Sequence, residues 1–408
     1  MLFRREKYLK KIRPFYHEDD IIKVITGVRR CGKSSLMETI VDELKQNGID
    51  EENIIYLDLD KRENRKIKSA DELEKLIESK IKNNKLNYLF IDEVQNVLGF
   101  EEVINGFRSG GGFSIFITGS NSYLLSGELV TKLTGRYLEF EIFTLSFDEY
   151  EQMKQFYGKP VNSNGLIELN NYIVEGGFPR TVLIDDLEAK RTYVAGVVKE
   201  IFEKDITHRV KIKDKATFET VKNFVINNFG ATMSIKSLTE ALEKNGVKTT
   251  RATVTKYITV LVEAKILYEC NRFDMKSKKS LANEKKYYLA DLSFYFSQNT
   301  DNRINFGPVL ENIVYIYCRG LDYSVSVGKI GKLECDFILR NIKNDYSYVQ
   351  VAYTILQSIE TENREYKPLE KINDNYPKYV ATTDYILQKR NGIKHINLIE
   401  FMKNELRF

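Results

Sequence analysis

Gly27 and Gly32 stand with four residues between them and with Lys33 and Ser34 directly after, in the run VITGVRRCGKSSL over 24–36. Glycines at that spacing let backbone N–H groups converge on a phosphate, and the following lysine can reach the β and γ phosphates. The serine hydroxyl is then placed to ligate Mg²⁺. The segment Gly27, Val28, Arg29, Arg30, Cys31, Gly32, Lys33, Ser34 and Ser35 is therefore a candidate cradle for ATP with Mg²⁺. Further on, NYLFIDEVQ (87–95) carries an apolar stretch straight into Asp92 and Glu93. Two acids at the end of an apolar run are costly to bury without a task. Asp92 suits support of Mg²⁺, and Glu93 suits polarisation of the attacking water in phosphoryl transfer. In FSIFITGSNS (113–122), Asn121, or with less reason Ser120, is placed to hold that water or the γ-phosphate, although TGSNS is also sound turn chemistry. Arg136, in LTGRY, is a candidate finger for a neighbour's γ-phosphate, a contact worth on the order of 10³–10⁵ in rate where it operates. Arg29, Arg30 and Arg108 compete for that role, and a plain surface arginine is the alternative.

These residues need elements to hold them. IIKVIT (21–26) reads as a buried strand stopped by Gly27, and the run from Ser34 to Gly48 as a helix, which is the strand–loop–helix setting a phosphate cradle requires. In such a sheet the strand within FSIFITGSNS (113–122) lies between the strand over 21–26 and the one within NYLFIDEVQ (87–95). Helical sequence follows at 146–158 and 165–179, then a long amphipathic helix over 187–209. Arg180 reads as a lid arginine or, more in keeping with its charge, an exposed one.

The stretch 233–273 gives a helix (235–245), a turn at Asn245-Gly246, a second helix near Arg251–Ala264 and a β-run (266–273), then a basic turn before KYYLAD. Helix, turn, helix, hairpin is the winged-helix pattern. The second helix offers Lys248, Thr249, Thr250, Arg251, Thr253 and Lys256 on its outer side. The turn over 274–286, with Lys278 and Lys279, holds five lysines against two acids. That excess suits phosphate contacts, but winged helices also serve as protein-packing modules, so DNA and a protein partner both stand.

In the last hundred residues, a helix bearing Glu311 precedes the strand-like runs YSVSVG, KLECDFILRN and YSYVQVAYT. This resembles a restriction-endonuclease-like core, in which an acid at the Asp336 position and E-x-K on the next strand bind Mg²⁺ and activate water. Here the second motif reads Gln350-Val351-Ala352. Glutamine brings no anion and alanine no amine, so Glu311, Asp336 and Gln350 form a degenerate site on a non-cleaving scaffold.

GVRRCGKSSL, YLFIDEVQ, FITGSNSYLLSGEL, LTGRY and TLSFDEY, in this order, resemble the prokaryotic AAA-type ATPases that carry a C-terminal domain of unknown function. YIVEGGFPRTV (172–182), FEKDI (202–206), YYLADLSF (287–294) and LECDFIL (333–339) extend the resemblance over nearly the whole chain. It implies an AAA fold, ATP with Mg²⁺ and ring or ring-like homo-oligomers, without a settled cellular role.

Composition sets the outer bounds. Of 408 residues, 42% are apolar and 29% charged, which is globular rather than disordered. Net charge is only +4, so a polyanion-binding surface must be a local patch. Cys31, Cys270, Cys318 and Cys335 form no CxxC pair and, with His17, His208 and His395, give no zinc pattern. No run is long and apolar enough for a membrane span, and the N-terminus lacks the apolar core of a secretion signal, so a cytoplasmic protein is expected. The expected architecture is α/β throughout. It comprises a P-loop AAA-type core (1–145), a helical lid (146–212), a winged-helix-like domain (213–300) and a restriction-endonuclease-like domain (301–408). The expected activity is Mg²⁺-dependent ATP hydrolysis coupled to a conformational or remodelling action on a macromolecule such as DNA. The alternatives are a slow nucleotide-gated switch or scaffold on a protein partner, and an ATP-regulated nuclease, which Ala352 argues against.

Overall fold

The computed structural model of the chain describes every residue except 1, 84, 120–132, 134, 208–211, 213, 278 and 299–304, and for 281–283 the backbone alone. Internal contacts divide it into two units, 1–143 and 144–408.

The first unit is built on five parallel strands: β1 (Ile22–Thr26), β2 (Ile54–Asp58), β3 (Asn87–Asp92), β4 (Phe113–Thr118) and β5 (Tyr137–Glu141). Their spatial order is β2-β3-β4-β1-β5, so β4 does lie between β1 and β3. Every residue of β1, β3 and β4 is buried, as a parallel sheet covered on both faces requires. The helices are α1 (Glu6–Ile12), α2 (Lys33–Gln46), α3 (Ala70–Lys80) and α4 (Phe100–Gly110). Val24, Leu57, Ile91 and Ile117 of the sheet pack with Leu73, Ile77, Phe100 and Ile104 of α3 and α4 in one apolar core. Because the strands run the same way, Thr26, Asp58, Asp92 and Thr118 all finish at one edge. Asp58 and Asp92 are directly paired in register.

The second unit opens with α5 (Phe147–Phe156), α6 (Gly165–Glu175) and α7 (Leu187–Glu200). The sequence predicts one continuous α-helix over 187–209, but α7 passes into a π-helical segment at Ile201–Ile206. The wider turn brings Ile201, Asp205 and Ile206 to the buried side. The GG of YIVEGGFP and the aspartate of YYLADLSF meet here. Gly177 N–H donates to Asp291 Oδ2 at 2.8 Å, and a Cβ on Gly176, whose φ is +77°, would lie 2.1 Å from Asp291 Oδ1.

Next come α8 (Lys215–Asn227), β6 (Thr232–Met233), α9 (Ile235–Lys244), α10 (Arg251–Glu263), β7 (Leu267–Asp274) and β8 (Lys279–Leu289), the element order of a winged helix. Thr250 caps α10, accepting Thr253 N–H at 3.2 Å. The C-terminal layer follows with α11 (Phe306–Gly320), β9 (Ser324–Ile330), β10 (Leu333–Arg340), β11 (Tyr346–Val351), α12 (Ile359–Glu370), β12 (Lys378–Thr382), β13 (Lys389–Arg390), β14 (Ile393–Asn397) and α13 (Leu398–Lys403). A helix, three antiparallel strands, a helix and a parallel strand follow in the element order expected of the restriction-endonuclease-like core.

One sheet joins the last two parts. β7 pairs with β9 through Arg272–Asp274, giving the order β13-β14-β12-β11-β10-β9-β7-β8-β6. The hairpin is thus a shared wall rather than a free wing, and the basic turn expected over 274–286 is much shorter. β8 begins at Lys279, so Lys285 and Lys286 are strand residues. Among the described residues no helix is long and apolar enough to cross a membrane.

Candidate functional site

The loop after β1 has room for nothing but glycine at its first position. Gly27 sits at φ +145°, and a Cβ there would lie 2.2 Å from Ile142 O and 2.8 Å from Cys31 Sγ. Arg30 takes a left-handed conformation at φ +69°, and Gly32, at φ +106°, precedes the first turn of α2. That turn begins at Lys33, so its unpaired N–H groups and positive dipole end face the loop. Lys33 is buried, and its Nζ donates to Gly27 O at 3.0 Å and Val28 O at 3.3 Å. Ser34 and Ser35 are exposed, whereas Cys31 is fully buried with its thiol pKa pushed up by that burial.

Sequence reasoning missed what braces this loop. Arg5, buried at the start of α1, donates from Nη1 to Cys31 O at 3.2 Å and to Phe143 O at 2.7 Å. Tyr8 Oη accepts the Phe143 N–H at 3.1 Å, and Ile142 N–H donates to Thr26 O at 2.8 Å. No spacing in the charged N-terminal run marks Arg5. Only the alternation of Tyr8, Leu9 and Ile12 on a buried face of α1 hints that the helix packs inward.

The acids stand on the neighbouring strands. Asp92 is buried, and the Thr118 hydroxyl donates to its Oδ1. The same hydroxyl accepts Glu93 N–H at 3.1 Å. Glu93 is left-handed at φ +58°, and its Oε2 accepts Gln95 Nε2 at 2.5 Å. Thr118 was not singled out from sequence, though its place as the last residue of a buried strand was the available signal. Glu38 of α2 adds to the negative charge. Burial pushes its carboxyl pKa up against the pull of Lys61, and Asp92, Asp42 and Asp58 push the same way.

Asn121 and Ser120 lie outside the described residues. Arg136 is exposed and stands at the start of β5, where its carbonyl accepts Ile22 N–H at 2.9 Å. That is the edge opposite the loop, about 16 Å away for a five-residue strand at ~3.3 Å per residue. Arg136 therefore cannot serve the phosphate loop of its own chain. Arg108 shares that edge, donating to Asp20 O at 3.3 Å. Arg180 is exposed, as is Arg30, while Arg29 is half-buried in the loop itself.

On the winged helix, Lys248, Arg251 and Lys256 are exposed along one stretch at and before α10, and Lys279 is exposed at the hairpin. Lys278 lies outside the described residues. Two lysines counted toward a basic turn are committed elsewhere. Lys285 pairs with Glu269, and buried Lys286 pairs with Glu311 at 2.8 Å and Glu334 at 2.9 Å.

Glu311, Asp336 and Gln350 come together in one cleft of about 540 Å³. Asp336 is buried and accepts Val351 N–H at 2.8 Å. Burial, with Glu311 beside it, holds its carboxyl well above the usual range while Lys286 pulls the other way. Gln350 donates to Glu365 at 3.1 Å, and Ala352 supplies no amine. Among the described residues no three His, Cys, Asp or Glu side chains are grouped to hold a metal ion.

An AAA domain matches residues 19–151, which contain the glycine loop and both acids, and a domain of unknown function (DUF8612) matches 166–302. An uncharacterized protein of Haemophilus influenzae is 36% identical over 407 residues, covering 98% of this chain and 98% of that protein. The chain belongs to this family of AAA-type ATPases. An uncharacterized protein of Methanocaldococcus jannaschii is 31% identical over 360 residues, covering 86% of this chain and 78% of that protein. In fold, the family member resembles the Walker-type ATPase of Pyrococcus abyssi, with a TM-score of 0.52 at 16% identity over 72% of this chain and 95% of that one.

Proposed function

We propose that the chain binds ATP with Mg²⁺ in the 27–35 loop, hydrolyses it, and uses the change of nucleotide state to act on a macromolecule, DNA, through residues 144–408. The observation that carries this is Lys33. Its ammonium is held against two carbonyls at the N-terminus of α2, where a polyphosphate would replace them. The loop fits the nucleotide, since Gly27 admits no side chain and α2 offers open N–H groups. The metal also fits, because Glu38, Asp58 and Asp92 concentrate negative charge beside exposed Ser34.

In this reading Lys33 and the loop amides hold the phosphates, and Ser34 and Asp92 hold Mg²⁺. Bound Mg²⁺ would offset charge on the transferring phosphoryl group. Glu93 orients and deprotonates water, and Asn121 senses the γ-phosphate. Arg136, remote from its own loop, completes the site of a neighbouring copy in a ring-like homo-oligomer. Lys248, Arg251, Lys256, Lys278 and Lys279 meet DNA phosphates.

Steady-state hydrolysis and nucleotide binding test the core of it. Lys33→Ala should lose ATP binding, and equal turnover in wild type and Glu93→Gln would reject the water-activating role. For DNA, binding to single-stranded, duplex and branched forms is titrated against salt. Indifference to all three would favour a protein partner. A second reading, a slow nucleotide-gated switch, is favoured by the Gln95 hydrogen bond that occupies Glu93. Oligomer state with ATP, ADP and no nucleotide separates the two.

A further inference from the structure

Within the second unit, α5, α6, the start of α7 and the loops joining them surround a cavity of about 420 Å³. Lys154, Lys159 and Lys190 line it, from α5, the 157–164 connection and α7 in turn. Its buried acids are well supplied with donors. Glu168 Oε1 takes Lys154 Nζ at 2.5 Å, and its Oε2 takes Asn162 N–H at 3.0 Å and Asn171 Nδ2 at 3.2 Å. Glu175 Oε2 takes both Lys190 and the Tyr150 hydroxyl, the latter at 2.7 Å. The ammonium groups are less well supplied with acceptors. Each carries three N–H donors, and among the described residues each has one carboxylate partner. Lys154 adds only the Tyr150 ring, whose centroid is 5.1 Å from its Nζ. Lys190 is 7% exposed, so its spare donors meet little bulk water. Asp185, the third acid, has an 84% exposed side chain that pairs with Lys159 at 2.6 Å. Lys159, with help from the charge of Lys190, holds its carboxyl below the usual range. A surface aspartate thus acts as the anion between two cavity lysines.

We propose that this cavity binds a small organic anion, a carboxylate or phosphate monoester on an apolar body. Its oxygens take the spare N–H groups of Lys154 and Lys190 and displace Asp185 from Lys159. Surplus buried donors call for an acceptor-rich group, and hydrogen bonds between ions are the strong ones. The apolar body answers to Pro160, Val161, Val182 and Ile184, which line the same space. The volume suits a ligand of metabolite size. Because the lining residues come from three helices and two loops, an occupant ties α5, α6 and α7 together. It therefore stabilises the folded chain by mass action.

The test uses full-length protein carrying Lys33→Ala, which disables the nucleotide loop. Phenyl phosphate and benzoate are the probes, and benzyl alcohol is the neutral control. Line broadening in proton NMR reads affinity, and thermal unfolding reads the fold. At least one anion should bind and raise the melting temperature. Which of the two binds tighter separates phosphate from carboxylate. Benzyl alcohol should bind at least about tenfold more weakly, since it offers no charge to the lysines. Lys190→Met, added to this protein, should weaken anion binding about tenfold, the worth of one charge-assisted hydrogen bond. Asp185→Asn removes a competing anion at an exposed position and should tighten binding about threefold. That gain cannot come from misfolding, so it alone decides where Lys190→Met folds poorly. Unchanged affinity in Asp185→Asn overturns the proposal, as does unchanged affinity in a folded Lys190→Met. So does failure of both anions to bind, or benzyl alcohol binding as tightly as they do.

Discussion

The Thr118 hydroxyl donates to Asp92 Oδ1 from the neighbouring strand, and its oxygen accepts the Glu93 N–H. One side chain thus fixes an acid and the backbone of the next. Thr118→Val keeps the shape and removes both bonds. If Asp92 supports the metal, loss of such an outer partner costs roughly 10–100-fold in metal affinity or activity. ATP binding at the loop, which Thr118 does not touch, should persist. Turnover against Mg²⁺ concentration, beside nucleotide binding, checks this. Wild-type turnover in Thr118→Val would mean that the acids need no brace.

Glu93 is held in a left-handed conformation with its carboxylate on Gln95. Freeing it should favour reaction. Gln95→Ala is expected to raise basal hydrolysis several-fold, and Glu93→Gln to lower it by about 10²–10⁴, the usual range for a general base. Single-turnover rates with ATP prebound separate these effects from binding. A Gln95→Ala rate equal to wild type would remove the argument for a built-in brake.

The nucleotide core was readable because its chemistry is local. Gly27, Lys33 and Ser34 sit within eight residues, and a parallel sheet needs little more than buried β-branched runs to assemble around them. The winged helix was readable for a similar reason, since its helix and turn signals follow in order. What could not be read is set by long-range pairing. Arg5 reaches Cys31 and Phe143 across 26 and 138 residues, and no motif links them. Lys286 looked like a free turn lysine until β8 carried it to Glu311 and Glu334. The π-helical turn at 201–206 depends on what Asp205 and Ile206 pack against, which helical periodicity does not encode.

YIVEGGFP and YYLADLSF join by a close approach, and that contact is open to a stability test. Gly176→Ala would set a methyl 2.1 Å from Asp291 Oδ1 and 2.6 Å from Ser293 Cβ, at a φ that strains alanine. The expected loss is about 3 kcal/mol, from overpacking and backbone strain together. Chemical denaturation of full-length protein measures it, with Gly246→Ala as a control. Gly246 also has positive φ but nothing within 4 Å of its Cβ position, so only the strain remains. Equal losses for the two variants would show that the Asp291 contact is unimportant.

Lys23 on β1 provides a pH test of the sheet itself. Its buried Nζ donates to Glu18 O at 2.6 Å and Ser114 Oγ at 2.9 Å, over the Phe116 ring. Burial lowers its pKa from 10.5 to about 7, while Glu18, Asp19 and Asp20 pull upward. Below pH 7 both folded and unfolded chains carry the proton, so stability does not change with pH through this group. Between about pH 7 and 10.5 the unfolded chain keeps a proton that the folded one has shed. Stability from Lys23 therefore rises with pH across that window, by at most about 1.4 kcal/mol per unit. Lys23→Met removes the slope. The difference in unfolding free energy, wild type minus Lys23→Met, should climb from pH 7 to pH 9, whatever its sign at pH 7. Buried cysteines and tyrosines titrate alike in both proteins and cancel in that difference. A difference independent of pH would show that Lys23 stays protonated in the folded sheet, held by its two oxygen acceptors and the acidic turn before β1.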